Sequence, residues 1–199
     1  MVKKIILASA SPRRRELLEQ IGLKFSIFVS DADESKTDKN LPVDLYVEEV
    51  AMAKAAAAAS ALKDEKNALI ISADTVVYHN GKIMGKPKDE ENAASMLSEL
   101  SADVHEVYTG FCIMRVSDSF SVAGCECTKV YFNQLTPETI KGYIKSGEPM
   151  DKAGAYGIQG KGALLVNKIC GDYFNVVGLP LSKLALTLKK EFDIDLANN

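Results

Sequence analysis

The spacing of apolar residues changes along the chain, and each change predicts a different element. Residues 4–8 form a short buried strand, and residues 14–21 a helix ended by Gly22. A second strand is predicted over residues 25–29, followed by an acidic polar stretch over 31–40. Residues 42–63 predict a long helix, because the alanine run at 55–59 has the highest helix propensity available. Residues 69–77 are a β run interrupted by Asp74, and Asn80-Gly81 supplies a type I′ turn before a strand at 82–84. Residues 89–100 are amphipathic, with Ala93, Met96, Leu97 and Leu100 at helical spacing. Residues 104–116 and 122–132 predict long paired strands around Ser117-Asp118. Thr136 and Pro137 open a helix that Gly147 closes. A glycine-rich stretch at 154–162 precedes a strand at 163–169, and residues 180–192 form the last helix. No repeat or linker divides the chain, so one domain is expected over residues 1–199, α/β or α+β with a mixed sheet.

Composition narrows the function classes. At 199 residues the chain can bury one sizeable core, or two small lobes sharing one. Hydrophobic residues at 47% and charged residues at 26% are ordinary globular usage and exclude disorder. A net charge of −3 excludes the broad basic field that non-specific nucleic-acid binding needs, and leaves a local basic cluster open. Apolar runs such as residues 68–73 and 163–166 are too short to span a bilayer, so no membrane partner is expected. Only a brief apolar segment separates Met1-Val2-Lys3-Lys4 from Ser9, too short for a secretory leader, and a cytoplasmic location is expected. The four cysteines form no C-x-x-C pair and are read as reduced thiols. With His79 and His105 as the only histidines, chemistry must run on carboxylates, Arg, Lys and polar groups.

Ser9-Ala10-Ser11-Pro12-Arg13-Arg14-Arg15-Glu16 is the most informative segment. Ser11 is a natural N-cap and Pro12 a natural first helical residue, which puts Arg13 and Arg14 in the first turn. Cations there oppose the helix dipole, and the conflict disappears if an anion sits at the helix mouth. Two planar guanidinium forks suit a phosphate better than lysines would. Arg15 is read as solvated and paired with Glu19. Asp74, set in an apolar strand, must be paired, hydrogen-bonded or metal-bound, and such a carboxylate suits base catalysis or a divalent ion. Asp31, Asp33 and Glu34 read by themselves as a solvated loop. Lys86 precedes Pro87 and projects from extended backbone. Gln159, in Gly154-Ala155-Tyr156-Gly157-Ile158-Gln159-Gly160, offers an amide that can donate and accept to a nucleobase edge. Phosphates with a divalent metal satisfy all these features together.

The motifs Leu7–Leu18, Ser72–Val77, Gly85-Lys86-Pro87, Tyr108-Thr109-Gly110 and Asp151–Gly160 resemble the Maf family of nucleoside triphosphate pyrophosphatases, and the match runs from about Ile6 to Leu181. The resemblance implies an elongated, two-lobed α/β fold with a curved mixed sheet and a cleft, like inosine triphosphate pyrophosphatases. It implies hydrolysis of a nucleotide to its monophosphate and pyrophosphate, a divalent metal (Mg²⁺ or Mn²⁺), a homodimer, and, through the family's septum-formation name, cell-division arrest. It places phosphate binding on Ser11, Arg13 and Arg14, the catalytic aspartate on Asp74, lysines on Lys54 and Lys86, and an acid on Glu34. Glu34 and Asp74 would be the metal ligands, with the role of Asp74 as base or ligand left open. Specificity positions fall on Arg13, Thr75 and Gln159, and the Gly-Ala-Tyr-Gly-Ile-Gln-Gly pattern is that of the branch acting on dTTP and UTP. A nucleotide-binding division regulator without turnover is the alternative, and an intact Asp74 argues against it.

Overall fold

A computed structural model describes residues 4–29 and 31–196. Met1–Lys3, on which the leader reading partly rests, lie outside the described residues. The strands are β1 (Lys4–Leu7), β2 (Ser26–Ile27), β3 (Ala68–His79), β4 (Lys82–Met84), β5 (Val104–Arg115), β6 (Ser121–Phe132) and β7 (Val166–Cys170). The α-helices are α1 (Pro12–Gln20), α2 (Val43–Ala61), α3 (Glu90–Leu100), α4 (Pro137–Ile144), α5 (Tyr173–Val177) and α6 (Leu181–Phe192). The strands form a mixed sheet in the order β2-β1-β3-β5-β6-β7, with β4 paired to β3. β1 runs parallel to β2 and β3, whereas β4 is antiparallel to β3 and β7 to β6. The expected α/β class with a mixed sheet is therefore present.

The chain divides into two compact units. The first comprises the described parts of Met1–Asp74, Thr109–Glu126 and Gly178–Asn199; the second comprises Thr75–Tyr108 and Cys127–Val177. In the first, the alanine stripe Ala51, Ala55, Ala58 and Ala59 of α2 packs against Ile6, Ala68, Ile70, Cys112 and Met114. Small side chains let helix and strands approach closely. Gly110 marks one such approach: a Cβ there would lie 2.3 Å from the backbone carbonyl of Val47. In the second, Leu97 and Leu100 of α3 and Ile140, Tyr143 and Ile144 of α4 close over Val77, Val107, Val130 and Phe132.

The long elements follow the sequence pattern, and the departures are local. Asn80 and Gly81 both have positive φ, at 48° and 78°, as the type I′ turn requires. β2 is shorter than the predicted 25–29, because it is an edge strand with both residues exposed. The strand predicted at 163–169 begins only at Val166. Residues Gly160–Leu164 wind instead into a 3₁₀ turn whose Lys161 and Gly162 N–H groups donate to the Glu148 carboxylate. α5 was not predicted, since five residues carry too little periodicity to read. Its Asn175 is buried and donates to Val107 O at 2.9 Å and Thr128 Oγ1 at 3.0 Å.

Candidate active site

The first unit holds Ser11, Arg13, Arg14, Glu34, Lys54 and Asp74. Ser11 caps α1 from extended backbone, its Oγ accepting from the Arg14 N–H, and Pro12 follows in the first turn. Arg13 and Arg14 therefore sit where the sequence placed them. Arg14 does more than was expected of it. Its Nε donates to Gly178 O at 2.9 Å, and its Nη1 donates to Ala73 O at 2.9 Å and Ser9 Oγ at 3.1 Å. Backbone carbonyls thus supply part of the negative complement that the sequence reading assigned wholly to an anion. Burial pulls the Arg14 pKa below the ordinary arginine value, Asp74 and Glu34 oppose it, and Arg13 adds to it. Arg15 is exposed, its Nε 2.8 Å from Glu19 Oε1, as read from the i,i+4 spacing.

Lys54 links the two acids. Its Nζ lies 2.7 Å from Asp74 Oδ1 and 2.9 Å from Glu34 Oε1. The Lys54 and Asp74 side chains are each 16% exposed, so this pair is shielded, while Glu34, on the turn Glu34–Lys36, is open to solvent. The register that brings them together comes from two short spacings. Buried Ser72 donates from Oγ to Ala51 O at 2.6 Å, fixing β3 against α2. Asp74 is two residues beyond Ser72 on the same strand face, and Lys54 three beyond Ala51 on the same helix face, so the two charges meet. Glu34, read from its residues alone as part of a solvated loop, is drawn in by this ammonium. Asp33 stays on the loop, 3.6 Å from Lys36.

Thr75, Lys86 and Gln159 belong to the second unit. Thr75 follows Asp74 on β3. Lys86 is exposed on the segment after β4, and that segment is tied down by Gly154 N–H donating to Gly85 O at 3.0 Å. Gly154 has φ of +64°, and a Cβ would lie 2.8 Å from a Val77 methyl, so glycine is required where these two motifs meet. Gln159 is exposed on extended backbone at the head of the Gly160–Leu164 turn, and its side chain does not cap that turn.

A model of the family described as Maf-like protein matches residues 4–191. The chain belongs to the Maf family. A protein named dTTP/UTP pyrophosphatase from Clostridium perfringens (strain SM101 / Type A) is 48% identical over 193 residues, covering 97% of this chain and 99% of its own. A protein of the same name from Thermoanaerobacter sp. (strain X514) is 51% identical over 193 residues, with the same coverage. Among solved structures, a HAM1 protein from Coxiella burnetii matches at a TM-score of 0.54 and 14% identity, covering 96% of this chain and 100% of its own. That likeness is one of fold.

Sequence reasoning missed several supports of this candidate site. Tyr46 lies two turns before Lys54 on α2, and burial, Asp74 and Glu34 all raise its phenol pKa. Its i,i+8 spacing from Lys54 was a readable signal. Ser9, Ser72 and Glu148 carry no sign of their contacts in the linear sequence. The acceptor of Arg14 at Gly178 is a main-chain oxygen, which sequence does not single out.

The donor set fits a divalent cation. Lys54 holds one oxygen of each acid, and hard carboxylate oxygens are the donors that Mg²⁺ and Mn²⁺ prefer. Among the described residues no three His, Cys, Asp or Glu side chains gather into a metal cage. Two carboxylates, with substrate phosphates and water completing the shell, are the usual protein share of a Mg²⁺ site.

Proposed function

We propose that this Maf protein is a nucleoside triphosphate pyrophosphatase that hydrolyses dTTP and UTP to the monophosphate and pyrophosphate. The observation that carries the proposal is the Glu34–Lys54–Asp74 bridge in the same unit as an arginine-bearing helix start. The names of relatives about half identical over nearly the whole chain support it. Water attacks the α-phosphorus, the bond from that phosphorus to the α–β bridging oxygen breaks, and pyrophosphate leaves with that oxygen. Arg13, Arg14, Lys54 and Lys86 neutralise the charge that grows on the phosphates, and Ser11 donates to a phosphate oxygen. Glu34 and Asp74 would hold Mg²⁺ or Mn²⁺, which when bound supplies further charge neutralisation at the phosphates. Asp74 alternatively takes the proton from the attacking water.

Gln159 would read the base, with Arg13 and Thr75 as further specificity positions. One amide donates and accepts at once, matching the carbonyl acceptor and N3–H donor of uracil or thymine. Cytosine reverses that pattern, and a site built on paired polar groups rejects the mismatch strongly. The same reading takes the protein as a cytoplasmic homodimer without a nucleic-acid partner and with a part in cell-division arrest, on the strength of the family resemblance and the net charge of −3.

Pyrophosphate release from a panel of UTP, dTTP, CTP, dCTP and GTP, with and without Mg²⁺ or Mn²⁺, tests the proposal. The expected result is metal-dependent release with UTP and dTTP leading. Asp74→Asn should abolish release while nucleotide binding persists. Binding without release by the intact protein would overturn the enzyme reading in favour of a regulator.

A further inference from the structure

We propose that Tyr156 and His105 are positioning residues that set the depth of the loop carrying Gln159. This rests on the reading of Gln159 as the base-recognition residue. Tyr156 lies three residues before Gln159 and is buried, as is His105 on β5. The Tyr156 hydroxyl is 2.7 Å from His105 Nε2. Phe132 completes a cluster of three edge-to-face rings, with centroids 4.7 Å from Tyr156 and 5.0 Å from His105, while those two are 5.2 Å apart. His105 Nδ1 is buried with no partner, so the bond to Tyr156 is the ring's one hydrogen bond among the described residues. Core residues that serve packing alone are normally apolar. A polar pair kept here while its second nitrogen goes unsatisfied points to a demand for geometry.

The loop around Gln159 is held from both ends. Tyr156 is the buried anchor before it, and Gly157 N–H donates to Tyr143 Oη at 3.2 Å. Beyond it, the Glu148 carboxylate accepts from Lys161 N and Gly162 N at 3.2 and 3.4 Å. Gln159 stands exposed between these anchors. Burial keeps the imidazole neutral, its pKa lowered to about 4, and raises that of the phenol, so the contact is a neutral hydrogen bond. Such a bond draws its atoms about 1 Å closer than van der Waals packing does. Without it the loop relaxes outward by a distance that matters to base recognition.

The test measures kcat/KM for UTP and CTP on Tyr156→Phe, Gln159→Ala and the double variant carrying both. Tyr156→Phe keeps the ring and removes the hydroxyl. It should lower the UTP-to-CTP ratio about tenfold, mainly through KM for UTP. In the Gln159→Ala background the same change should leave the ratio unmoved. Should Tyr156→Phe fold poorly, Tyr156→Phe with His105→Phe replaces the polar pair by apolar rings and should show the same loss of ratio in a stable protein. If Gln159→Ala lowers the ratio and both Tyr156 variants keep it, the positioning role is overturned and the base reading stands. If Gln159→Ala itself leaves the ratio unchanged, both fall. A loss of melting temperature with equal losses on both nucleotides would mark the pair as structural and also overturn the role.

Discussion

Arg14 reaches back from the first turn of α1 to two backbone carbonyls, and single substitutions in that turn should show what this contact contributes. Arg13→Ala removes a cation from a helix start that is already positive. Catalysis should fall about 100-fold, the loss of one charge-assisted contact that strengthens in the transition state. Arg14→Ala should lose catalysis and stability together, because the carbonyls of Ala73 and Gly178 each lose a donor. A cost of about 2 kcal/mol corresponds to roughly 5 °C in a chain of this size. An unchanged melting temperature in Arg14→Ala would show that these carbonyls find other donors. His105 gives a different signature. Its folded pKa, about 4, lies below the unfolded 6.5, with burial the main cause, the His79 charge adding and Asp103 opposing. The unfolded chain therefore takes up the proton first as pH falls. Its contribution is complete above pH 6.5, shrinks through the window below it, and is gone below about 4. Between pH 7 and pH 5 the intact protein should lose about 2 kcal/mol more than His105→Phe, read from urea midpoints at each pH.

At the scale of elements, α2 is where position becomes chemistry. A Cβ at Gly110 would meet the Val47 carbonyl at 2.3 Å, far inside contact distance. Gly110→Ala must therefore lift the helix by roughly 1 Å. We expect a stability loss of about 1–3 kcal/mol and a drop in kcat of about tenfold or more, although the new methyl touches no site residue. An unchanged kcat with lowered stability would show that Lys54 reaches Asp74 independently of helix height. This approach also shows what the sequence could tell. The Ser11 cap, the alanine-rich helix, the I′ turn and the isolated Asp74 are local signals, and each was legible. The Ser72-to-Ala51 bond, the Gly178 acceptor of Arg14 and the Glu148 clamp depend on pairings between distant segments. Their residue types look ordinary in the linear chain. Ala163 and Leu164, the end of the 3₁₀ turn at Gly160–Leu164, were assigned to strand for the same reason: their apolar run was visible, and the carboxylate that winds the turn was not.

On the scale of the whole molecule, the chain passes between its two units four times, at residues 74/75, 108/109, 126/127 and 177/178. Three of these crossings fall inside β3, β5 and β6. A strand that melts in one unit frays into the other, so we expect one cooperative unfolding transition. The chain supplies its own reporters. Of its seven tyrosines only Tyr46 lies in the first unit, and the chain has no tryptophan, so near-ultraviolet tyrosine dichroism follows the second unit. Cys112 belongs to the first, buried, with its thiol pushed up to about 12 by that burial, so alkylation waits for unfolding. The two midpoints in urea should coincide, and a separation between them would show independent units. The last crossing also orders events during synthesis. When the ribosome has released the chain only as far as Val177, every candidate site residue already exists, yet Arg14 lacks its acceptor at Gly178, which lies 164 positions away. The helix start proposed to grip phosphate is thus among the most non-local parts of the fold and closes late. A growing chain carries the letters of the site well before it carries the site.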